Sequence, residues 1–98
     1  MITGKQRSYL KSLAHNIDPS VYVGKGGLTD NVVKEIEICL EARELIKVKL
    51  QDGCFIDAKD AANHISTLIG AEYVQAIGRK FVIYKKSSQN AQIVLPRN

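Results

Sequence analysis

Three glycines and a lysine, Gly24-Lys25-Gly26-Gly27, stand between a short apolar run, Val21-Tyr22-Val23, and a segment that opens a helix at Thr29. Glycine at such a junction takes backbone angles closed to other residues and lets a ligand approach the main chain closely. The helix start that follows offers N–H groups without intrahelical partners and a partial positive charge, to which Lys25 adds a full one. This spacing suits contact with a phosphate. A tight strand-to-helix turn also needs glycine for geometry alone, so the anion reading depends on what surrounds the turn.

The remaining candidates for chemistry argue against catalysis. His15 and His64 have no histidine or cysteine at metal-ligand spacing and are read as surface residues. The glycine turn matches neither GxGxxG nor GxxxxGK[ST], so nucleotide binding is not expected. Glu35, Glu37, Glu41 and Glu44 fall on one helix and are read as its solvated acidic side. Ser8, Ser12, Ser20 and Ser66 show no nucleophile-elbow sequence. Cys39 and Cys54 form no CxxC pair and are expected as reduced thiols of a cytoplasmic protein. The expectation is a binding module, not an enzyme, with no cofactor and no metal.

Size and charge sharpen this. Ninety-eight residues, 45% of them hydrophobic, suffice for one small domain with a modest core. No apolar run approaches the roughly 20 residues that span a bilayer, and Met1-Ile2-Thr3-Gly4 lacks the apolar core of a signal peptide. The net charge of +4 is segregated: residues 1–29 carry +3, residues 30–72 carry −4 and residues 73–98 carry +5. If the two basic ends meet in the fold, one face attracts polyanions while the acidic middle faces elsewhere.

Elements able to position these residues follow in order. Thr3-Gly4-Lys5-Gln6 fits a capping box, opening a helix to about Ala14 with Leu10, Leu13 and Ala14 inward and Arg7, Lys11 and His15 on one stripe. Pro19 turns the chain into a strand at Val21-Val23. Thr29 caps a second helix that buries Val33, Ile36 and Leu40. Leu45 to Leu50 alternates as a strand with Ile46, Val48 and Leu50 on one side and Lys47 and Lys49 on the other. Asp57 caps a third helix with Ala58, Ala61, Ala62, Ile65, Leu68 and Ile69 inward and Gly70 as its stop. Tyr73 to Ile77 and Phe81 to Lys85 form a hairpin around Gly78-Arg79, where glycine in first position suits a type II′ turn.

The predicted fold is therefore α/β: an N-terminal helix, then βαβαββ, with a mixed four-stranded sheet in two layers. Right-handed crossovers make the first three strands parallel, put both crossover helices on one face, and leave the last strand antiparallel. The C-terminal ends of the parallel strands then share one edge, where Lys25, Arg79 and Lys80 converge. Lys47 and Lys49 rank second as contacts, on a sheet face that is either solvated or under the first helix. Tyr22, Tyr73, Tyr84 and Phe81 are assigned to core or rim packing. A GxxG loop with helix dipoles and basic flanks is how some small domains clamp an RNA backbone, so RNA or another polyanion is the leading ligand.

Several blocks together resemble the YhbY-type CRM domain, the chloroplast RNA splicing and ribosome maturation family. They are Lys5-Gln6-Arg7 with Leu10 and Leu13-Ala14-His15, Val23-Gly24-Lys25-Gly26-Gly27-Leu28-Thr29, Glu44-Leu45-Ile46-Lys47-Val48-Lys49, and Val74-Gln75-Ala76-Ile77-Gly78-Arg79 leading to Val82-Ile83-Tyr84. The resemblance implies a fold similar to the C-terminal domain of translation initiation factor three, preceded by an extra helix. It also implies association with ribosomal RNA in precursor large ribosomal subunits. It carries the GxxG contact to Gly24, Lys25, Gly26 and Gly27, and a basic footprint to Lys5, Arg7, Lys11, Arg79 and Lys80. Residues 1–86 are expected as the domain and 87–98 as a polar, loose tail in which Ile93-Val94-Leu95 could dock. The alternative is a protein-interaction module that joins ribosomal or other assembly proteins through the acidic second helix and Ile38.

Overall fold

Thr3 opens the first helix, α1 (Gly4–Ala14), by the predicted reciprocal cap: its hydroxyl accepts the Gln6 N–H at 3.1 Å, and Gln6 Oε1 accepts the Thr3 N–H at 3.0 Å. The computed structural model describes residues 1–97, so Asn98, the last residue of the predicted tail, lies outside the described residues. After α1 come β1 (Pro19–Val23), α2 (Asp30–Arg43), β2 (Leu45–Leu50), α3 (Ala58–Ile69), β3 (Glu72–Ile77) and β4 (Lys80–Tyr84). Thr29 and Asp57 cap α2 and α3 as predicted, and Gly70 ends α3 with a left-handed φ of +73°.

The sheet order is β1-β2-β4-β3, with β1 parallel to β2 and β4 antiparallel to both its neighbours. The first three strands thus run one way, as the crossovers require, and β4 fits between β2 and β3. Ile77 pairs with Lys80 across the two-residue loop; Gly78 has φ +59° and Arg79 has no positive φ, as a type II′ turn demands. β1 starts two residues earlier than its apolar run suggests. Pro19 at its first position lacks only an N–H that the ladder does not need there.

Alternation along the strands divides the core. Val21, Val23, Ile46, Val48, Leu50, Phe81 and Ile83 pack with α2 and α3 on one face. On the other face Leu45, Val74, Val82 and Tyr84 pack with Leu10 and Ala14 of α1. Two layers run the length of the sheet, and α1 adds a third over one end only. The other end of that face is left open. One predicted core position differs: Leu68 is exposed, because it lies at the margin of the buried arc in the last turn of α3.

Glu44 departs furthest from expectation. It follows α2 with φ +67°, is fully buried, and accepts the backbone N–H groups of Ser87 at 2.8 Å, Gln92 at 2.7 Å and Ile93 at 2.8 Å. Burial pushes its carboxyl up, but those N–H groups and the Lys86 charge outweigh this and hold it below the usual range. Glu41 accepts the Ser87 hydroxyl at 2.6 Å and the Ser88 N–H at 3.0 Å. These bonds, the Ser87 hydroxyl foremost, lower its carboxyl to about 2.

Residues 87–97 carry no helix or strand, yet they are tied along their length rather than left loose as their composition suggested. Ile93 and Leu95 pack into the α1-side core, Val94 stays exposed, and Gln6 Nε2 donates to the Pro96 carbonyl at 3.0 Å. The anchors are two carboxylates more than 40 positions upstream in the chain, so no local pattern in the polar segment announces them.

Candidate nucleic-acid interface

The glycine turn is built by one backbone bond, from the Gly27 N–H to the Gly24 carbonyl at 3.0 Å. Only Gly27 is required by conformation: its φ is +73°, and a Cβ there would stand 3.0 Å from Ile56 Cδ1. A Cβ on Gly24 or Gly26 would meet only the ends of the Gln51 and Thr29 side chains, at 3.4 Å. Gly27→Ala is expected to destabilise the domain by about 1–2 kcal/mol through the left-handed angle. Urea unfolding with an unchanged midpoint would contradict that.

The glycine turn and the Gly78-Arg79 hairpin meet at this edge, as the topology predicted, and the 51–57 loop joins them. Gln51 N–H donates to the Val23 carbonyl at 2.9 Å, and Leu50 N–H donates to the Arg79 carbonyl at 2.7 Å. The Lys25 stem lies over Gly53, whose added Cβ would be 3.7 Å from Lys25 Cγ. Arg79 has a structural role as well: one Nη of its exposed guanidinium donates to the carbonyls of Cys54 and, at 3.3 Å, Gln51. It clasps the 51–57 loop. The start of α2 is also less free than expected, since Thr29 Oγ1 accepts the Val32 N–H at 3.3 Å and Asp30 occupies the first turn.

Strand register extends the site onto the open end of the sheet. Tyr22 pairs with Lys49, Lys49 with Lys80, and Lys80 with Ile77, a single row across all four strands. Behind it Lys47 pairs with Val82 and Val82 with Gln75. His15, at the end of α1, closes the hollow of about 550 Å³ that these rows line. Lys49 and Lys80, directly opposite one another, are like charges that disfavour the sheet. Among the described residues the one ion pair is between the Met1 ammonium and Glu72, at 3.9 Å, so neither lysine has a carboxylate partner. A larger hollow, about 720 Å³, lies between the ends of α1 and α2, lined mainly by residues such as Leu13, Ile17, Cys39 and Ile93. Asp18, Ser20, Arg43 and Gln92 line it too, so it is mixed in polarity, and it shares no lining residue with the cationic hollow.

The CRS1 / YhbY (CRM) domain profile matches residues 2–85. The chain belongs to this family. It is 47% identical to the "Probable RNA-binding protein YqeI" of Bacillus subtilis over 96 residues, 98% of this chain and all of that protein. It is 41% identical to an "RNA-binding protein" of Haemophilus influenzae, over 98% of this chain and 96% of that one. The solution structure of SAV1595 from Staphylococcus aureus superposes with a TM-score of 0.82 at 50% identity, covering 98% of this chain and all of the other.

In this CRM domain the predicted basic residues divide. Lys25, Lys47, Lys49 and Lys80 share the edge and the open sheet face, and exposed Lys11 lies one helical turn before His15. Arg7 is engaged elsewhere, its Nε donating to the Tyr73 carbonyl at 3.1 Å. Lys5 sits in the first turn of α1, the end tied to Glu72 and Pro96. Glu72 begins β3, five residues from the cationic edge, which is about 17 Å along a strand. Helical spacing put Arg7, Lys11 and His15 on one stripe and the resemblance added Lys5, but neither carried information about which end of α1 faces the glycine turn.

The aromatics also divide. Phe81 and Tyr84 are core, as assigned, and Tyr73 is partly buried against the α2/α3 side. Tyr22 is 50% exposed beside Lys49, at the rim and not in the core. Phe55, which sequence reasoning passed over, is 93% exposed in the 51–57 loop. Its neighbours Cys54 and Ile56 give it the look of a short apolar run, and no periodicity in a loop of this length separates inside from outside.

Proposed function

We propose that this CRM domain binds RNA through the Lys25 turn and the open sheet face, and that its RNA is ribosomal, in precursor large subunits whose maturation it assists in the cytoplasm. It acts by binding, without catalysis or cofactor. The observation that carries the RNA reading is the Lys49–Lys80 pair, a repulsive placement with no carboxylate at ion-pair distance among the described residues, in a row that opens toward a glycine turn carrying a third lysine. A polyphosphate ligand relieves it. The names of the relatives support the same ligand class. The ribosomal assignment rests on the family resemblance.

Lys11, Lys25, Lys47, Lys49 and Lys80 offer about five phosphate contacts, for a logarithmic salt slope of roughly −3.5 on single-stranded RNA. Lys25→Glu is expected to weaken binding to large-subunit ribosomal RNA fragments about tenfold at low salt and to flatten the slope by roughly 0.7. Salt-independent affinity sinks the mechanism. Co-sedimentation with precursor large subunits, but not with mature ones, checks the ribosomal assignment.

The protein-interaction alternative has one observation in its favour: Ile38 on α2 is 64% exposed. Against it, the acids Glu41 and Glu44 are already bonded to residues 87–93 of the same chain. Binding to RNA-free ribosomal proteins that survives Lys25→Glu would favour it.

A further inference from the structure

Phe55 is held outward by its neighbours. Cys54 is buried and its carbonyl is clasped by Arg79. Ile56 packs into the core beneath Gly27. With both flanking residues fixed, the ring is presented to solvent on the loop that supports the Lys25 stem through Gly53. Nothing in the packing of the fold uses this ring, and leaving a phenylalanine side chain in water forgoes the gain of burying it.

Charge around the ring narrows what can cover it. The loop itself carries Asp52 and Asp57, and Asp30 opens the adjacent helix. Against these stand Arg79, one Nη of which is bound to the loop's own carbonyls, and Lys59 in the first turn of α3. The loop is thus mixed in charge and attracts a phosphate less than the lysine row does. Lys25, Lys49 and Lys80 stand to one side. The surface is therefore cationic along the lysine row, where a backbone can run, and apolar with mixed charge at the ring, where something uncharged and flat can lie. Tyr22, half exposed in the Lys49 row, is a second ring at the other end of the same loop, where it lines a hollow with Lys49, Gln51 and Asp52.

Resting on the RNA reading above, we infer that the bound RNA is unpaired at this site, with one base stacked on Phe55 while the neighbouring phosphates lie on Lys25, Lys49 and Lys80. Bases within a duplex are stacked on one another and their faces are closed to a protein ring, whereas unpaired bases splay onto aromatic side chains.

The test uses the full chain, a single-stranded oligoadenylate carrying one 2-aminopurine, and the same strand annealed to its complement. Wild-type protein is expected to prefer the single strand and to change the 2-aminopurine emission on binding. Phe55→Ala is expected to weaken single-strand binding about tenfold with an unchanged salt slope, because no charge is removed, and Phe55→Trp is expected to restore it. The exposed ring makes no core contact, so thermal midpoints should not move, which separates loss of stacking from loss of fold. Equal binding by Phe55→Ala and wild type overturns the inference and leaves the phosphate contacts standing. So does rescue by Phe55→Leu as full as that by Phe55→Trp, which points to a general apolar contact with the RNA and not to stacking. A duplex bound as tightly as the single strand also overturns it. Only a wild type that binds neither RNA removes the RNA reading itself.

Discussion

Glu44→Ala is expected to destabilise the protein by about 3 kcal/mol, because three backbone N–H groups lose a charged acceptor in a buried setting. Part of that loss is recovered if residues 87–97 peel away and hydrate, so increased proteolysis after Tyr84 should accompany the lower urea midpoint. Glu44→Gln keeps an acceptor oxygen and should fall between. The effect carries a pH signature. Glu41 and Glu44 both have carboxyls below their usual range in the folded protein, so the unfolded chain takes up protons first as pH falls. Their stabilisation is complete above the ordinary value of 4.5 and disappears as pH falls toward about 2, the folded value for Glu41. The difference between wild type and Glu44→Ala should therefore be large at neutral pH and shrink steadily below pH 4.5. A difference that holds constant down to pH 2 would show that the Glu44 charge is not what ties the segment down.

Reversing Lys49 and Lys80 together should give the largest loss of RNA binding, about 100-fold or 2.7 kcal/mol at low salt, and flatten the salt slope by roughly 1.4. The single variants separate binding from folding. Lys80→Glu turns a repulsive cross-strand pair with Lys49 into an attractive one, so its stability should rise by about 0.2–1 kcal/mol while its affinity falls. Opposite signs in the two measurements are the expected result. If Lys80→Glu lowers both, the lysine pair serves the fold and the ligand lies elsewhere. Comparison with Lys34→Glu, on the exposed surface of α2, controls for the change in net charge.

The particular places where sequence reading succeeded share a cause. Thr3 with Gln6, Thr29, and Asp57 with Gly70 specify helix ends through bonds and angles confined to a few neighbouring residues. The alternation of Leu45 to Leu50 specifies a strand and its two faces for the same reason. From element order and crossover handedness it then follows that the glycine turn and the Gly78-Arg79 hairpin meet at one edge. Lys25 and Lys80 as neighbours of one surface were legible in this way, and so was the family.

Roles that depend on partners distant in the chain were not legible. Arg7 and Arg79 read as free cations, but each also ties down backbone, Arg7 through Nε to the Tyr73 carbonyl and Arg79 through one Nη to those of Gln51 and Cys54. Glu44 read as one more solvated acid because its helical spacing matches that of Glu37 and Glu41. Its burial comes from a segment returning after β4. The same holds for Phe55, whose exposure is set by the fixing of Cys54 and Ile56 on either side.

By itself, then, the sequence determined the seven elements, their order and the cationic edge, since capping, alternation and crossover handedness act over short stretches of chain. Only the tertiary structure decided which charges are free to meet a ligand. A cation or carboxylate is claimed by whichever backbone group the fold brings within hydrogen-bond reach, and that proximity is created by the packing of α1, the 51–57 loop and residues 87–97, not by spacing along the chain.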